Sequence, residues 1–143
     1  MRKKSPYKRI KDKAWSEFSR YIRLKYADRD GMVKCVTCGA KKHWKEMQAG
    51  HAIQGRGNYI LFNEKFVYPQ DFHCNGNPPY GLGGNYQMFM IFLMKEKGMT
   101  LEEFEREKQL SMKPFKISIS EMNEIYNKYK TLSSDLEDSL ENK

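Results

Sequence analysis

The chain has 143 residues and carries 26 lysines and arginines against 18 aspartates and glutamates, which gives a formal net charge of +8. This length suits one domain and is too short for a barrel of alternating strands and helices. No apolar stretch is long enough to cross a membrane, so we expect no membrane partner. The basic balance argues against cationic partners and favours phosphate, as in nucleic acid or an anionic surface.

The positive charge is concentrated in the first quarter of the chain. Residues 1–34 hold 12 basic and 4 acidic side chains, and this surplus equals the net charge of the whole chain. We expect a basic arm over residues 1–12 and a helix over 13–27, in which an aromatic stripe at helical spacing packs into the core. The stripe consists of Trp15, Phe18, Ile22 and Tyr26.

Six basic side chains are candidates for contacts with nucleic-acid phosphates. The first three lie off the aromatic stripe and are expected to face solvent, and the last three could as easily be plain surface charge. In chain order they are Arg20, Arg23, Lys25, Lys41, Lys42 and Arg56.

The middle of the chain, residues 32–84, is rich in glycine and poor in helix signals, which predicts short strands, turns and loops. We expect extended pieces near residues 33–36, 48–53 and 62–68. From Tyr86 onward an apolar helix, buried on much of its surface, is expected to end near Gly98.

Two further helices are expected in the C-terminal part of the chain. Thr100 and Glu103 form a capping box that opens a helix through about Leu110. Ser118 or Ser120 then caps a helix with an apolar stripe, which packs on the chain's own core or forms a dimer interface. The last ten residues are polar and are expected to fray.

The three cysteines point to a metal site. Thiolates three positions apart, as in Cys35-x-x-Cys38, can bind one ion when the backbone between them turns tightly, and Cys74 supplies a third. A redox pair is less favoured, because no βαβ pattern surrounds the motif. For the fourth ligand we favour Asp71, three positions before Cys74. His73 is the alternative, but neighbours on an extended chain point in opposite directions.

His51 and Asn75 carry chemistry that a nuclease needs. A neutral histidine can take a proton from water near pH 7 and prepare it to attack a phosphodiester. Asn75 follows the proposed zinc ligand Cys74, which would fix its amide oxygen as a ligand for Mg²⁺. His43 and Glu46 are candidates for a further ligand of this ion, or surface residues of a turn.

Several short motifs occur in the order and spacing typical of one family. They are Cys35-x-x-Cys38-Gly39, Ala49-Gly50-His51, Tyr68-Pro69-Gln70, Cys74-Asn75 and Gly84-Asn85-Tyr86. In these motifs the chain resembles the NinG (Rap) family of phage recombination endonucleases, from about Lys13 to Leu132. Two positions depart from the expected patterns. Asp71 stands where the family has the first cysteine of a second C-x-x-C, and Gly50 stands where many HNH enzymes have Asp or His.

The resemblance implies an α+β fold with a small ββα-metal (HNH) core and a zinc knuckle. This nuclease domain would span residues 13–98, with its N-terminal helix, and helices in residues 99–143 would follow it. The resemblance also implies that His51 is the general base, that Asn75 binds a catalytic Mg²⁺ or Mn²⁺, and that a structural Zn²⁺ fills the knuckle.

The implied activity is that of a metal-dependent DNA endonuclease acting on branched recombination intermediates such as Holliday junctions. The implied location is the cytoplasm of a bacterial host that carries the phage or prophage. A homodimer would suit paired cuts in a four-way junction. Two other interpretations use the same residues: a non-catalytic zinc-ribbon DNA-binding protein, and an HNH nuclease of restriction or homing.

Overall fold

The structure is a computed structural model that describes residues 2–55 and 57–141. Within these ranges the chain forms an α+β fold, as the sequence predicts, with six α-helices and two antiparallel sheets of two strands each. The helices are α1 (Pro6–Lys25), α2 (Asn58–Leu61), α3 (Phe72–Asn75), α4 (Tyr86–Lys97), α5 (Leu101–Ser111) and α6 (Ile119–Glu141). The strands are β1 (Met32–Lys34), β2 (Lys41–His43), β3 (Gln48–His51) and β4 (Val67–Gln70). No helix in the described ranges is both long and apolar enough to span a bilayer.

Helix α1 begins at Pro6, earlier than the sequence interpretation places it, so part of the expected basic arm is helical. The Ser5 hydroxyl accepts a hydrogen bond from the backbone N–H of Lys8 at 3.1 Å. Proline is favoured in the first turn of a helix, because the N–H that it lacks has no partner there. The aromatic stripe packs as predicted, with Phe18 and Ile22 fully buried.

Strands β1 and β2 pair antiparallel, with Val33 opposite Lys42. The sequence predicts β1 but not β2, whose residues Lys-Lys-His show no apolar alternation. The turn between the two strands contains the C-x-x-C motif. Gly39 closes this turn with a φ of +83°, and its N–H donates to the Cys35 carbonyl at 2.9 Å.

Strands β3 and β4 also pair antiparallel, with His51 opposite Val67. Helix α2 lies between them in the chain, so the extended piece expected at residues 62–68 is shorter and begins later. Strand β4 leads directly into α3. In this β3–β4–α3 unit, His51 is the last residue of β3 and Asn75 is the last residue of α3.

The expectation that α4 is buried on much of its surface is wrong. Phe89 and Leu93 are buried, whereas Met88 is 43% and Ile91 41% exposed. The helix packs by one face against a cluster that includes Tyr68. Its other face remains on the surface of the described part of the chain.

Helices α5 and α6 begin at predicted caps. The Thr100 hydroxyl accepts a hydrogen bond from the N–H of Glu103 at 3.0 Å. At α6 the cap is Ser118 rather than Ser120. The Ser118 hydroxyl accepts from the Glu121 N–H at 3.0 Å, and the Glu121 carboxylate accepts from the Ser118 N–H at 3.2 Å. This reciprocal pair is a complete capping box.

Helix α6 continues to Glu141 and packs along α1. The expectation that the last ten residues fray is therefore wrong as far as the structure describes them. Leu136 and Leu140 pack against a buried cluster that includes Trp44, which gives the end of the helix an apolar anchor. Of the two roles expected for the stripe on α6, the structure shows packing on the chain's own core.

Glu64, in the turn between α2 and β4, joins that turn to both long helices. Its carboxylate accepts hydrogen bonds from the hydroxyls of Tyr129 at 2.9 Å and Tyr21 at 3.2 Å, and it lies 3.3 Å from the Lys25 ammonium. Burial acts to raise the pKa of Glu64, but these partners outweigh burial and hold the pKa below its usual value.

We predict that Glu64→Gln lowers the free energy of unfolding at pH 7 by about 1 kcal/mol, the typical value of a hydrogen bond to a partly exposed group. Because the pKa of Glu64 is lower in the folded state, its stabilisation is present above about pH 4.5 and is lost as the pH falls through the folded pKa. The free energy of unfolding, measured by urea titration, should therefore differ less between pH 7 and pH 3 for Glu64→Gln than for the wild type.

Tyr129→Phe serves as the matched variant in this experiment, since it removes one donor and leaves the carboxylate in place. It should lose stability at pH 7 but keep part of the dependence on pH. The same pH dependence in the wild type and in Glu64→Gln would contradict the prediction.

Candidate functional site

Four potential metal ligands meet where the β1–β2 turn faces α3. The Sγ atoms of Cys35, Cys38 and Cys74 and a carboxylate oxygen of Asp71 all lie within 4.8 Å of one another. We name this group the Cys/Asp cluster. His73, the alternative fourth ligand, is exposed and lies outside the cluster. The structure thus brings together the four residues that the sequence interpretation favours.

Asp71 uses its two carboxylate oxygens differently. Its Oδ1 accepts a hydrogen bond from the N–H of Cys74 at 2.9 Å and so caps α3. Its Oδ2 lies 3.4 Å from the Sγ of Cys38. The reason that the sequence offers against His73 does not apply, because this segment is helical rather than extended. His73 lies instead on the exposed side of that helix.

The four acidic groups lie close together, and their surroundings shift their pKa values. Partial burial, together with the neighbouring thiols and carboxylate, raises the pKa of Cys38 to about 12. Burial likewise raises the pKa of Cys74. Cys35 is also buried, but hydrogen bonds from the Thr37 hydroxyl and nearby backbone N–H groups outweigh burial and lower its pKa. Binding of a divalent cation would favour the ionised form of all four groups.

The donor set of the Cys/Asp cluster fits a metal ion. Three thiolates and one carboxylate match the four-coordinate sites that divalent ions such as zinc occupy. Thiolates are soft ligands, which argues against magnesium or calcium at this position. The cluster could therefore hold a metal ion such as zinc in a closed, structural arrangement.

A second feature is a cleft of about 420 Å³ beside α3. His51 and Asn75 both line it, so the structure brings these two predicted residues to one place. We name it the His/Asn cleft. The residues that line it are Gln48, His51, Gly55, Phe72, Asn75, Gly76, Asn77, Gly83 and Tyr86.

The imidazole of His51 is held on two sides. Its Nε2 lies 3.3 Å from the Leu61 carbonyl oxygen, and its ring stacks on Trp15 with the centroids 5.1 Å apart. A carbonyl oxygen can only accept a hydrogen bond. In a neutral ring Nε2 therefore carries the proton, and Nδ1 is the nitrogen with the lone pair. Trp15 thus contacts His51 in addition to the core packing that its helical spacing predicts.

The side-chain amide of Asn75 is held by Gln48, a residue that the sequence interpretation does not identify. The Asn75 Nδ2 group donates to the Gln48 Oε1 at 2.7 Å. This contact leaves the Oδ1 of Asn75 as its remaining polar atom. The role of Gln48 follows from its place on β3 next to α3, and no local sequence signal marks it.

The lining of the His/Asn cleft is uncharged apart from the titratable His51, and no carboxylate occurs among the described residues that form it. Of the two candidates for a further cation ligand, His43 lines a different cavity, together with Trp44. Glu46 is exposed in a short 3₁₀ turn, in agreement with its interpretation as a surface residue. Amide oxygens are suitable ligands for a hard cation but bring no charge to it.

Arg20 and Arg23 are the basic candidates on the side of α1 that other elements cover. Arg20 pairs with Glu17 at 3.1 Å and also with Glu137. Arg23 donates to the carbonyl of Trp44 at 3.2 Å, and its guanidinium lies 5.4 Å from the centroid of that ring. Both arginines are half-buried. The expectation that they face solvent is wrong, because α6 and the turn after β2 cover this side of α1.

Two of the three lysine candidates are exposed. Lys25 is exposed and pairs with Glu64. Lys41 is exposed and lies 3.1 Å from Asp28, and Lys42 is half-buried on β2. Arg56 lies outside the described residues. Phosphate contacts by all six side chains stay predictions.

Comparison with known proteins supports the resemblance seen in the motifs. The family model described as "Bacteriophage Lambda NinG protein" matches residues 1–139. No curated protein and no solved structure gives a significant match to the chain. Because the family match spans nearly the whole sequence, the chain belongs to the NinG family.

Proposed function

We propose that this protein is a metal-dependent DNA endonuclease of the HNH type. The observation that carries the proposal is that His51 and Asn75, which are distant in sequence, line one cleft on the β3–β4–α3 unit. A proton acceptor beside an amide oxygen in an open cleft suits the hydrolysis of a phosphodiester. Membership of the NinG family supports the same reaction class through the resemblance described above.

In the proposed reaction, His51 takes a proton from the attacking water through Nδ1. The contact of Nε2 with the Leu61 carbonyl selects the tautomer with its lone pair on Nδ1. Stacking on Trp15 keeps the ring plane constant, so little reorientation is needed when the substrate arrives. The protonated ring can keep the same contact with Leu61 after it has taken the proton.

Asn75 would hold the catalytic Mg²⁺ or Mn²⁺ through its amide oxygen, while Gln48 keeps the amide in place. When bound, this cation would stabilise the negative charge that develops on the phosphate and on the departing 3′ oxygen. Since the described lining of the cleft has no carboxylate, the scissile phosphate would supply the anionic oxygen that this hard cation prefers.

The Cys/Asp cluster would hold a structural Zn²⁺. Its four ligands join the β1–β2 turn to α3, and α3 also carries Asn75. The zinc would thus stabilise the segment that presents the amide to the cleft. No part of the proposed hydrolysis uses the cluster directly.

The proposed substrate is branched DNA such as a four-way junction, an assignment that rests on the family resemblance. Of the proposed phosphate contacts, Lys25 and Lys41 are exposed and Lys42 is half-buried, whereas Arg56 is proposed from the sequence alone. Arg20 and Arg23 would first have to leave their partners within the protein. A homodimer would present two clefts to one junction, and it would need a surface other than the stripe of α6 that already packs on α1.

We predict that Asp71→Asn lowers the affinity for Zn²⁺ by at least about tenfold, since perturbing even an outer partner of a ligand costs that much. The amide keeps an acceptor for the α3 cap but removes the anionic oxygen near Cys38. Competition with a chromophoric chelator measures the effect. His73→Ala is the matched control and should bind Zn²⁺ like the wild type. Equal affinities for Asp71→Asn and the wild type would exclude the carboxylate as a ligand.

We predict that His51→Ala reduces DNA cutting at least about a hundredfold, the usual contribution of a general acid–base group. Asn75→Ala should reduce cutting to a similar extent, because it removes the amide oxygen that would hold the cation. The measurement uses purified protein with Mn²⁺ and a panel of linear, nicked, forked and four-way junction DNA. Zinc content and circular dichroism establish that each variant remains folded. A His51→Ala variant that cuts as fast as the wild type would rule out the proposed base.

The other two histidines of the chain provide matched controls for this test. His43 and His73 lie outside the cleft. The His43→Ala and His73→Ala variants should therefore cut DNA like the wild type. If the wild type cuts no DNA form with any divalent cation, the non-catalytic zinc-ribbon interpretation is favoured. Cutting of linear duplex at least as fast as of junctions would favour a restriction or homing role.

A further inference from the structure

The position of Gly50, directly before His51, has no room for a side chain. It lies within β3 opposite Tyr68 and has no left-handed backbone conformation. A Cβ atom built on it would lie 1.8 Å from the Oε1 of Gln70 and 3.1 Å from the Oδ1 of Asn75. The first distance is far shorter than any non-bonded contact allows. The Gln70 carboxamide therefore occupies the volume that a side chain at position 50 would need.

The Gln70 carboxamide cannot easily move away. The residue is fully buried, and its Nε2 group donates to the Thr37 hydroxyl at 3.1 Å and to the Gly84 carbonyl at 2.9 Å. Reversing the amide would place two acceptors against each other at Gly84. The orientation leaves Oε1 buried without a hydrogen-bond partner among the described residues, which carries a free-energy cost.

One of the two hydrogen bonds that Gln70 donates leads to the Cys/Asp cluster through Thr37. Thr37 lies between the cysteines of the C-x-x-C motif, and its oxygen is 3.3 Å from the Sγ of Cys35. Because that oxygen accepts the hydrogen bond from Gln70, its own proton is available to the sulfur. A continuous chain of contacts thus runs from the sulfur of Cys35 through Thr37 and Gln70 to the backbone of Gly50.

We propose that Gln70 is a positioning residue that couples the Cys/Asp cluster to the His/Asn cleft. Its carboxamide transmits the position of the C-x-x-C turn to Gly50, and Gly50 leads directly to His51. The structural part of this proposal stands on the contacts alone, whereas its effect on catalysis rests on the proposed function. The oxygen without a partner among the described residues is consistent with an amide whose place is set by the hydrogen bonds of its Nε2 group.

A double-mutant cycle in the zinc-loaded full chain tests the coupling, with urea unfolding as the readout. Gly50→Ala should raise the unfolding equilibrium constant at least about tenfold in the wild-type background, within the range of coupling seen for residues in contact. In the Gln70→Ala background the same methyl group enters vacated space, so Gly50→Ala should raise the constant less than about threefold. The same cost in both backgrounds would overturn the proposal.

Gly57→Ala is the matched control for a methyl group added to a glycine. Its Cβ would meet the Ser111 carbonyl oxygen at 3.7 Å, an ordinary contact, so its effect should be small and the same in both backgrounds. If Gly50→Ala does not fold at all, a folded Gly50→Ala/Gln70→Ala double variant supports the proposal. A double variant that also fails to fold contradicts it.

Thr37 variants test the effect on catalysis. Thr37→Val removes the acceptor for Gln70 while keeping the four ligands, and it should lower kcat about tenfold with KM for DNA unchanged, as expected for lost positioning. Thr37→Ser keeps the hydroxyl and should restore kcat. A Thr37→Val variant with the kcat of the wild type would overturn the catalytic part. If the wild type cuts no DNA, the proposed function fails, while the unfolding cycle still decides the coupling.

Discussion

The carboxylate of Asp71 holds α3, and both sites depend on this helix. Four residues are too few for a helix to be stable by itself in water. Asp71 caps its first turn, and the following loop returns to it, since the Gly84 N–H donates to the Cys74 carbonyl at 2.8 Å. Because α3 carries Cys74 into the Cys/Asp cluster and the next residue, Asn75, into the His/Asn cleft, a shift of the helix would disturb both sites together.

Part of the positive charge in the N-terminal quarter of the chain forms contacts within the fold. Arg20 balances Glu17 and Glu137 between α1 and α6, and Arg23 packs on Trp44. The net charge of the chain is therefore larger than the positive charge that remains available to an anionic partner. The cleft itself is lined by neutral polar side chains and His51. Under the proposed function, the attraction of DNA would come from charges outside this lining, and the cleft would contribute shape and specific atoms.

The sequence predicts the residues of both sites better than it predicts the elements around them. Ligand spacing and caps are local, so the Cys/Asp cluster and Ser118 follow from short motifs. The end of α6 is different, because Leu136 and Leu140 stabilise it by packing on elements far away in sequence. For the same reason the sequence does not identify Gln48, and it gives Gln70 only as part of a family motif with no role assigned. Their partners lie on other elements, and a glutamine in a strand gives no signal until the pairing of β3 with β4 is known.

Asp71 departs from the second C-x-x-C of the family, and Gly50 departs from the Asp or His of many HNH enzymes. At each position the residue present makes or permits a contact that the commoner residue could not. A cysteine at position 71 would offer a single sulfur, whereas Asp71 caps α3 with one oxygen and faces Cys38 with the other. An aspartate or histidine at position 50 would displace the Gln70 carboxamide from Thr37. Glycine there gives up a cation ligand and keeps that contact. Asp71 thus keeps a ligand in the cluster and adds a cap to α3, whereas Gly50 preserves the contact between Gln70 and Thr37.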